Sequence, residues 1–410
     1  MQSGQTPRPS NEFILLVAMM TAMIAMSIDT MLPAIGIIAK ELGAAHDNDR
    51  QLIIIGFFGG MMLGTLIFGP LSDSIGRKPA IYIGLVLYTL GSLVCLFSTS
   101  FEMLVAGRIL QGFGGAGPRV VSLAMVRDGA AGAAMARIMS FVMSVFMLVP
   151  ILAPAVGQGV LFIADWRWIF VGFIVWGLAA GAWLWTRQAE TLRPEKRLPF
   201  TASSMWRSAV EVAKNPVSIG YTVAVGGVFG AFITYLGTSQ QIFSDQYQQG
   251  AYFALWFGGL AVGIALAMVI NGRIVMTYGM RKLSRWALRG FVGSAALLLL
   301  ASLLSAGHPP LWILGSLLFI NFFSSGLIFG NFNAMAMEPM GRIAGMASAI
   351  SGALSSLVAL TLGGLAGRLY DGSLNPVAGA FLLYGLIAVV FSEWAERNRP
   401  LKTVASPANA

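Results

Sequence analysis

Apolar stretches long enough to cross a lipid bilayer recur along the whole of this sequence. A helix needs about 20 apolar residues to cross a hydrocarbon core about 30 Å thick, and about twelve stretches of roughly 18 to 27 residues meet that requirement. Short polar breaks separate them, and 57% of the 410 residues are hydrophobic while only 10% are charged. The chain is therefore predicted to be an all-α membrane protein of twelve transmembrane helices, without a large soluble domain. The predicted helices begin near Phe13, Gln51, Ala80, Glu102, Ile138, Trp168, Val217, Ala251, Ser284, Leu311, Ala344 and Val377.

The positions of the basic residues predict the orientation and the division of the chain. When Lys and Arg are assigned to alternate sides of twelve spans, about 20 of the 26 fall on the side of the N-terminus and about 4 on the other. Both termini are therefore expected in the cytoplasm. The longest connection is rich in basic residues and is expected to join two bundles of six helices. The predicted divisions are a first bundle at 1–186, a cytoplasmic linker at 187–216, a second bundle at 217–396 and a cytoplasmic tail at 397–410.

Side chains that could catalyse a reaction or hold a cofactor are sparse. Cys95 is the single cysteine and lies in the third predicted span, and the two histidines, His46 and His308, fall in short outer loops. No Ser-His-Asp, metal-ligand or phosphate-cradling pattern accompanies them. We therefore expect no metal and no cofactor, and a transporter with its substrate site between two halves, instead of a membrane enzyme or a sensor. The net charge of +9 belongs largely to the cytoplasmic loops, so no nucleic-acid partner is expected.

The loop after the second predicted span reads GPLSDSIGRKP from Gly69 to Pro79. This segment is similar to the G-x-L-a-D-r-x-G-r-k signature of the major facilitator superfamily. The resemblance implies two six-helix bundles with alternating access, and a gating motif that locks the halves in the outward-open state. The residues assigned to that motif are Gly69, Asp73, Gly76, Arg77 and Lys78, with Arg127 or a similar group as a partner. A degraded second copy, from Gly279 to Lys282, lies at the symmetric position, and Met276 stands where an aspartate would align.

Two further segments resemble drug:proton antiporters. The fourth predicted span reads RILQGFGGAG from Arg108, similar to the signature R-x-x-q-G-x-g, and the fifth contains APAVGQG from Ala153, similar to the element G-P-x-x-G-G. The whole chain resembles the bicyclomycin and chloramphenicol resistance branch of these exporters. That resemblance implies proton-coupled efflux of small amphipathic drugs or metabolites by a multi-pass protein of the bacterial inner membrane, expected to be a monomer. Since Ala153 and Gln158 replace two glycines of the element, a proton-coupled uptake symporter of the same fold is the alternative.

Asp29 is the one acidic residue, of 17 in the chain, that the span assignment places deep in the membrane. An aspartate at the centre of a membrane helix costs about 2.5 to 3.5 kcal/mol on insertion scales, so such a residue is usually functional or paired. Arg108 is expected within roughly 5 Å of the same depth. We therefore predict that Asp29 carries the coupling proton and that Arg108 is its counter-charge. The alternative is a fixed ion pair that only joins two helices.

The remaining candidates are expected to line the central cavity or to bend its helices. Arg119 lies three turns after Arg108 on the same helix face, where it could bind a polar substrate group or serve a cytoplasmic gate. Methionine thioethers repack easily around apolar ligands. The predicted substrate contacts are Arg119, Gln111, Met26, Met143, Met147, Tyr235 and Asn331. The residues predicted to make the first and fifth spans flexible are Pro33, Pro150, Pro154 and Gly157.

Overall fold

The computed structural model describes residues 11–130, 132–197 and 201–399 of the protein. Within these ranges the regular secondary structure is helical, as the sequence predicted, and no strand is present. Residues 400–410 of the predicted tail lie outside the described residues, as do residues 1–10, 131 and 198–200. The α-helices are α1 (Asn11–Asp29), α2 (Ile35–Glu41), α3 (Leu52–Ile75), α4 (Arg77–Leu96), α5 (Phe101–Gly129), α6 (Gly132–Ile163), α7 (Arg167–Arg187), α8 (Ala202–Lys214), α9 (Pro216–Gln240), α10 (Phe253–Tyr278), α11 (Met280–Leu304), α12 (Leu311–Met337), α13 (Ala344–Arg368) and α14 (Asn375–Arg397).

Eleven segments in the described ranges are long and apolar enough to cross a membrane, one fewer than the sequence predicted. The predicted fourth span is α5, whose 29 residues suffice for a crossing, but its charged residues and glycines lower its hydropathy. Arg108 and Gln111 are fully buried on this helix, which packs against both α3 and α4. These polar side chains of α5 therefore face protein instead of lipid, and a hydropathy criterion alone misses the helix.

Glycines let α5 approach its two neighbours closely. A Cβ atom added at Gly112 would lie 1.9 Å from the Phe57 carbonyl oxygen of α3, and one added at Gly114 would lie 2.2 Å from the Tyr88 backbone nitrogen of α4. Backbone atoms cannot turn aside as the end of a flexible side chain can. The packing of α3, α4 and α5 therefore depends on these small residues, which is common between membrane helices.

The helices on either side of the connection between α7 and α9 pack mainly with members of their own group. We call α1–α7 the first half and α9–α14 the second half. The halves meet chiefly where α3 contacts α13 and where α6 contacts α10. The connection itself contains α8, which the sequence did not predict, and its Val212 packs with Met340, Ala347 and Ile350 near the interface. Two pairs of helices thus form most of the surface along which the halves touch.

Candidate functional site

Asp29 is the last residue of α1, at a break in the first predicted span. Pro33, four residues later, has no backbone N–H, so it cannot donate to the Asp29 carbonyl oxygen and the α-helix stops there. The chain continues through a 3-10 turn, Leu32–Ala34, into α2. The softening predicted at Pro33 is thus a complete interruption of the helix. It leaves the carboxyl group at a helix end in the protein interior.

The fifth predicted span, α6, crosses this break at very short range. A Cβ atom added at Gly157 would lie 2.0 Å from the Thr30 carbonyl oxygen and 3.2 Å from Cγ of Pro33. Gly157 makes room for the broken first span at this crossing, and its role as a flexing point stays a prediction. Pro150 and Pro154 lie inside α6, which runs through both as one continuous helix.

The Asp29 side chain is buried, with 5% of the residue exposed, and no hydrogen bond or ion pair reaches it among the described residues. Tyr235 of α9 lies close enough to interact with Asp29 electrostatically. The Tyr235 hydroxyl and the Thr30 Oγ1 atom are likewise buried without a hydrogen-bond partner in the described ranges. Burying an ionised carboxylate without a counter-ion is costly, and no cation pairs with Asp29 among the described residues. A polar ligand could satisfy these three groups.

Arg108 also lies in the interior, but the structure does not bring it into the predicted ion pair with Asp29. The guanidinium group is fully buried and donates hydrogen bonds to the carbonyl oxygens of Ser27, at 3.0 Å, and Ile53, at 3.3 Å. It also donates to the side-chain oxygen of Gln111 at 2.5 Å. Carbonyl oxygens in the last turn of a helix lack helical donors and carry partial negative charge, so Ser27 near the end of α1 attracts a cation. Arg108 therefore binds the backbone at the end of α1 and does not bind the Asp29 carboxyl group.

A chain of buried hydrogen bonds continues from Arg108 into α4. The Gln111 side chain donates to Ser92 Oγ at 2.8 Å, and the hydroxyl oxygens of Ser27 and Tyr88 lie 2.6 Å apart. Gln111 is thus held between Arg108 and Ser92 in this structure, and its role as a substrate contact stays a prediction. The network ties α1, α4 and α5 together beside the break that bears the carboxyl group.

The predicted methionines and Arg119 occupy half-buried positions. Met26, Met143 and Met147 are each partly exposed, on α1 and α6. Arg119 donates to Met61 Sδ of α3 at 3.7 Å, and no ion pair involves it in the part of the chain that the structure describes. A cation in that position could meet an anionic group that enters between the helices. The role of these four residues as substrate contacts stays a prediction.

The Asn331 side chain is hydrogen-bonded to a residue of helix α10. Its amide and that of Asn271 on α10 exchange two hydrogen bonds, at 2.9 and 3.3 Å, and the Asn331 amide also donates to the Leu327 carbonyl oxygen. Asn333, two residues on, points to the opposite side and is exposed. In this structure Asn331 therefore links α10 to α12, and a substrate would have to displace Asn271 to reach it.

The gating motif forms an ion-pair cluster at the end of the first half where α3 stops. Gly69 and Asp73 lie in the last two turns of α3, and Arg77 at the start of α4 pairs with Asp73 and with Asp128 of α5, the latter at 2.8 Å. Arg127 is exposed and makes no ion pair within the described ranges. The partner position predicted for Arg127 is therefore occupied by its neighbour Asp128, which contacts Arg77 instead of Asp73.

A third carboxylate, that of Glu190, closes the turn between α3 and α4. Gly76 forms this turn with φ of 108°, a conformation that glycine adopts without strain. Glu190, just after α7, accepts hydrogen bonds from the backbone N–H groups of Arg77 and Lys78, both at 3.0 Å, while the Lys78 ammonium group donates to the Gln188 carbonyl oxygen. An anion at a helix N-terminus is favourable because the first N–H groups have no helical acceptors. Sequence reasoning missed Glu190 because it lies far from the motif.

The degraded second copy of the motif has a related geometry. Gly279 forms the turn between α10 and α11 with φ of 78°. Arg281 pairs with Glu338, just after α12, at 2.6 Å and with Glu396 of α14 at 3.0 Å. Met276, at the position of the missing aspartate, is exposed. Two carboxylates from elsewhere in the second half therefore supply the charge that the motif itself lacks.

The halves are joined by polar contacts at the opposite end of the molecule, which we call the outer side because the basic residues predict that it faces away from the cytoplasm. Arg50 of the first half donates to the Gln240 side-chain oxygen at 2.6 Å and pairs with Asp245 at 2.8 Å. Gln158 of α6 donates to the carbonyl oxygens of Gly250 and Ala251, both at 3.0 Å.

Gln51 is the buried centre of these contacts. Its side-chain nitrogen donates to the Gly367 carbonyl oxygen at 2.9 Å and to the Gln241 side-chain oxygen at 3.3 Å, and the Gln241 amide donates in turn to Asn48 at 2.9 Å. Among the side chains that the structure describes, the hydrogen bonds and ion pairs between the halves lie on the outer side. We define the outer seal as Asn48, Arg50, Gln51 and Gln158 with Gln240, Gln241, Asp245, Gly250, Ala251 and Gly367. The sequence offered one signal for it, the adjacent glutamines Gln240 and Gln241 at the end of an apolar span.

Comparisons with known proteins agree with one another. The family model of the Major Facilitator Superfamily matches residues 15–364. The chain is 29% identical to the "Bicyclomycin resistance protein homolog" of Haemophilus influenzae, with 92% of this chain and 95% of that protein covered, and 25% identical to the "Chloramphenicol resistance protein" of Pseudomonas aeruginosa, with 74% and 72% covered. Among solved structures, it resembles a D-xylose-proton symporter with a TM-score of 0.72 and 14% identity, covering 95% of this chain and 98% of that one. At such low identity this last similarity concerns the fold alone.

Proposed function

Because this chain belongs to the Major Facilitator Superfamily, we propose that it exports small amphipathic drugs or metabolites across the bacterial inner membrane in exchange for protons, and that Asp29 carries the proton. The relatives named for resistance to bicyclomycin and chloramphenicol support the export of such compounds. The observation that carries the assignment of Asp29 is its isolation, since its side chain is buried and has no partner among the described residues. Such a group can gain or lose a proton without breaking another interaction.

In the proposed cycle the two bundles, 1–186 and 217–396, move against each other around the site. With the outer seal formed, Asp29 is separated from the outer side, and its surroundings suit the protonated form. Release of the proton toward the cytoplasm would leave an anion that a substrate group could satisfy, so protonation and substrate binding compete. Opening of the outer seal would then exchange the substrate for a proton from outside.

The free energy of proton entry is large enough to drive the export of a small substrate against its concentration gradient. One proton that crosses 100 mV supplies about 2.3 kcal/mol, and one pH unit adds about 1.4 kcal/mol. For a neutral substrate and one proton per cycle, this supports a concentration ratio of roughly several hundred. Tyr235 and Thr30, whose hydroxyl groups lack partners in the described ranges, are the residues that we assign to orient the substrate beside Asp29.

Proton-coupled uptake is the second candidate, because one buried carboxyl group serves either direction and because Gln158 departs from the antiporter element. We infer further that the protein is not an enzyme, since relatives of this chain are named as transporters, and we propose that it functions as a monomer. The direction of transport separates the two candidates.

Purified protein in liposomes, with chloramphenicol as the probe, tests the proposal. An imposed pH gradient should drive chloramphenicol against the direction of proton flow. Asp29→Asn should abolish this gradient-driven movement, because the amide can neither release a proton nor provide the anion that a substrate group would satisfy. Glu102→Gln, which changes an exposed carboxylate of α5, is the matched control and should behave as the parent. Gradient-driven transport by Asp29→Asn at the parental rate would exclude Asp29 as the proton site, and movement of chloramphenicol with the protons would favour uptake.

A further inference from the structure

A basic cavity of about 470 Å³ lies at the start of α11, at the end of the second half away from the outer seal. The side chains that matter for its chemistry are Arg281, Lys282, Arg285, Arg289, Tyr278 and Trp286. The cavity is therefore lined by four cations and two aromatic rings, and it contains no acidic side chain in its wall. It is separate from the candidate site at Asp29.

The charges in this wall are not equally available. Arg281 is neutralised by its ion pairs with Glu338 and Glu396. Lys282, Arg285 and Arg289 are exposed, and no ion pair involves them in the part of the chain that the structure describes. Three uncompensated cations so close together repel one another, and an anion among them would relieve that repulsion.

Helical spacing directs these cations to one face of α11. Positions 282, 285, 286 and 289 are separated by three or four residues, so their side chains lie on neighbouring turns of the same side. The Lys282 ammonium group sits 4.9 Å from the ring centre of Trp286 and 5.8 Å from that of Tyr278. Trp286 and Tyr278 are themselves about half exposed. Exposed Trp and Tyr side chains beside cations are typical of the level of lipid headgroups.

The same face of α11 becomes apolar farther along the helix. Leu297, Leu300 and Leu304 follow at helical spacing and are more than half exposed. A basic and aromatic patch therefore continues into an exposed aliphatic stripe. This order of chemistry along one face is complementary to a phospholipid, whose phosphate lies at the membrane surface and whose acyl chains extend inward. A free phosphate ion would use only the basic patch.

We propose that this cavity binds the headgroup phosphate of an anionic phospholipid in the cytoplasmic leaflet, with Lys282, Arg285 and Arg289 as its ligands and the leucine stripe in contact with its acyl chains. Basic pockets on the cytoplasmic side of membrane proteins attract anionic headgroups, and each nearby cation adds to the attraction. The site does not depend on the transport direction or on the role of Asp29.

Native mass spectrometry of the full chain, titrated with phosphatidylglycerol, tests this site. The double variant Arg285→Gln/Arg289→Gln should bind the lipid about 30-fold more weakly than the parent, because two cations are lost. Arg207→Gln/Arg273→Gln removes two exposed cations outside the cavity and is the matched control; it should bind as the parent. Phosphatidylcholine should bind weakly to all three proteins, and millimolar inorganic phosphate should not displace phosphatidylglycerol.

Three results would overturn the proposal. They are equal binding by the cavity variant and the control, equal affinity for phosphatidylcholine and phosphatidylglycerol, and displacement of the lipid by inorganic phosphate, which would indicate a site for the free ion. If the double variant does not fold, Lys282→Gln measured in the same way replaces it, with an expected loss of about 5-fold.

Discussion

Substitution of Gly367 tests the outer seal most directly. The Gln51 side chain packs against this glycine so closely that a Cβ atom at position 367 would lie 1.4 Å from Gln51 Oε1 and 2.5 Å from its Cδ. In Gly367→Ala the end of the Gln51 side chain must therefore turn away. It would lose its hydrogen bonds to the Gly367 carbonyl oxygen and to Gln241. The first half would then have no buried polar contact with α13 at this point.

The size of the effect follows from these two bonds. Each buried intramolecular hydrogen bond contributes about 1 kcal/mol net, so the closed outer side should lose about 2 kcal/mol relative to the open one. That corresponds to a shift of about 30-fold in the ratio of closed to open molecules. A parent protein that is open on the outer side in about 1% of molecules would give a variant that is open in about 23%.

Electron paramagnetic resonance distances between two spin labels measure this shift. Ala45→Cys and His308→Cys place one label in each half at exposed outer positions, and the natural Cys95 is buried and should not react. Gly367→Ala should add a longer distance between the labels. Gly352→Ala on the same helix, where an added Cβ atom meets nothing within 4 Å, should give the parental distribution.

Two outcomes would refute this reasoning. If the Gly367→Ala protein elutes as a folded species and its label distances equal those of Gly352→Ala, the Gln51 contacts do not hold the outer side closed. If both glycine variants open the molecule equally, helix α13 responds to any added methyl group, and the specific contact with Gln51 is not the cause.

Two further substitutions test the packing and the gating cluster. Gly157→Ala should destabilise the protein by about 1 to 3 kcal/mol, because its Cβ atom would lie 2.0 Å from the Thr30 carbonyl oxygen. Gly159→Ala, whose Cβ atom would meet nothing within 4 Å, is the control and should not change the stability. Thermal unfolding in detergent measures the difference, and equal melting temperatures for the two variants would contradict this prediction. Asp128→Asn should weaken the ion-pair cluster around Arg77 by about 1.5 to 3 kcal/mol and lower both stability and transport. Arg127→Gln should change neither. A larger effect of Arg127→Gln than of Asp128→Asn would indicate that Arg127 is the partner of the gating motif, as the sequence predicted.

Much of the fold could be predicted from the sequence because lipid imposes a simple rule on the helices that face it. Residues on such helices must be apolar, so length and hydropathy identify eleven of them. The helix that escapes this rule is α5, whose Arg108 and Gln111 are buried against neighbouring helices. The apolar stretch that begins near Glu102 was nevertheless one of the twelve predicted from the sequence, because its length suffices for a crossing.

Side-chain partners were harder to predict because they depend on rotation about a helix axis. Arg127 and Asp128 are adjacent in sequence, but their side chains point about 100° apart, and only Asp128 faces Arg77. Asp29 and Arg108 were likewise predicted at nearly the same depth in the membrane, but depth does not determine the direction in which either side chain points. The outer seal depends on which loops meet across the two halves, and no local pattern around Gln51 contains that information.

Asp29 and Arg108 are both buried, but they do not pair with each other in this structure. A carboxylate locked to an arginine away from water would be kept ionised, and parting the two would leave two uncompensated charges. Arg108 instead donates to backbone carbonyl oxygens, including that of Ser27, and to Gln111, while the Phe57 ring covers its face at 4.4 Å. The partial charge of a carbonyl oxygen does not vanish when Asp29 takes up a proton. In this structure the arginine therefore holds the end of α1, and the proposed proton site lies two residues beyond Ser27, outside these hydrogen bonds.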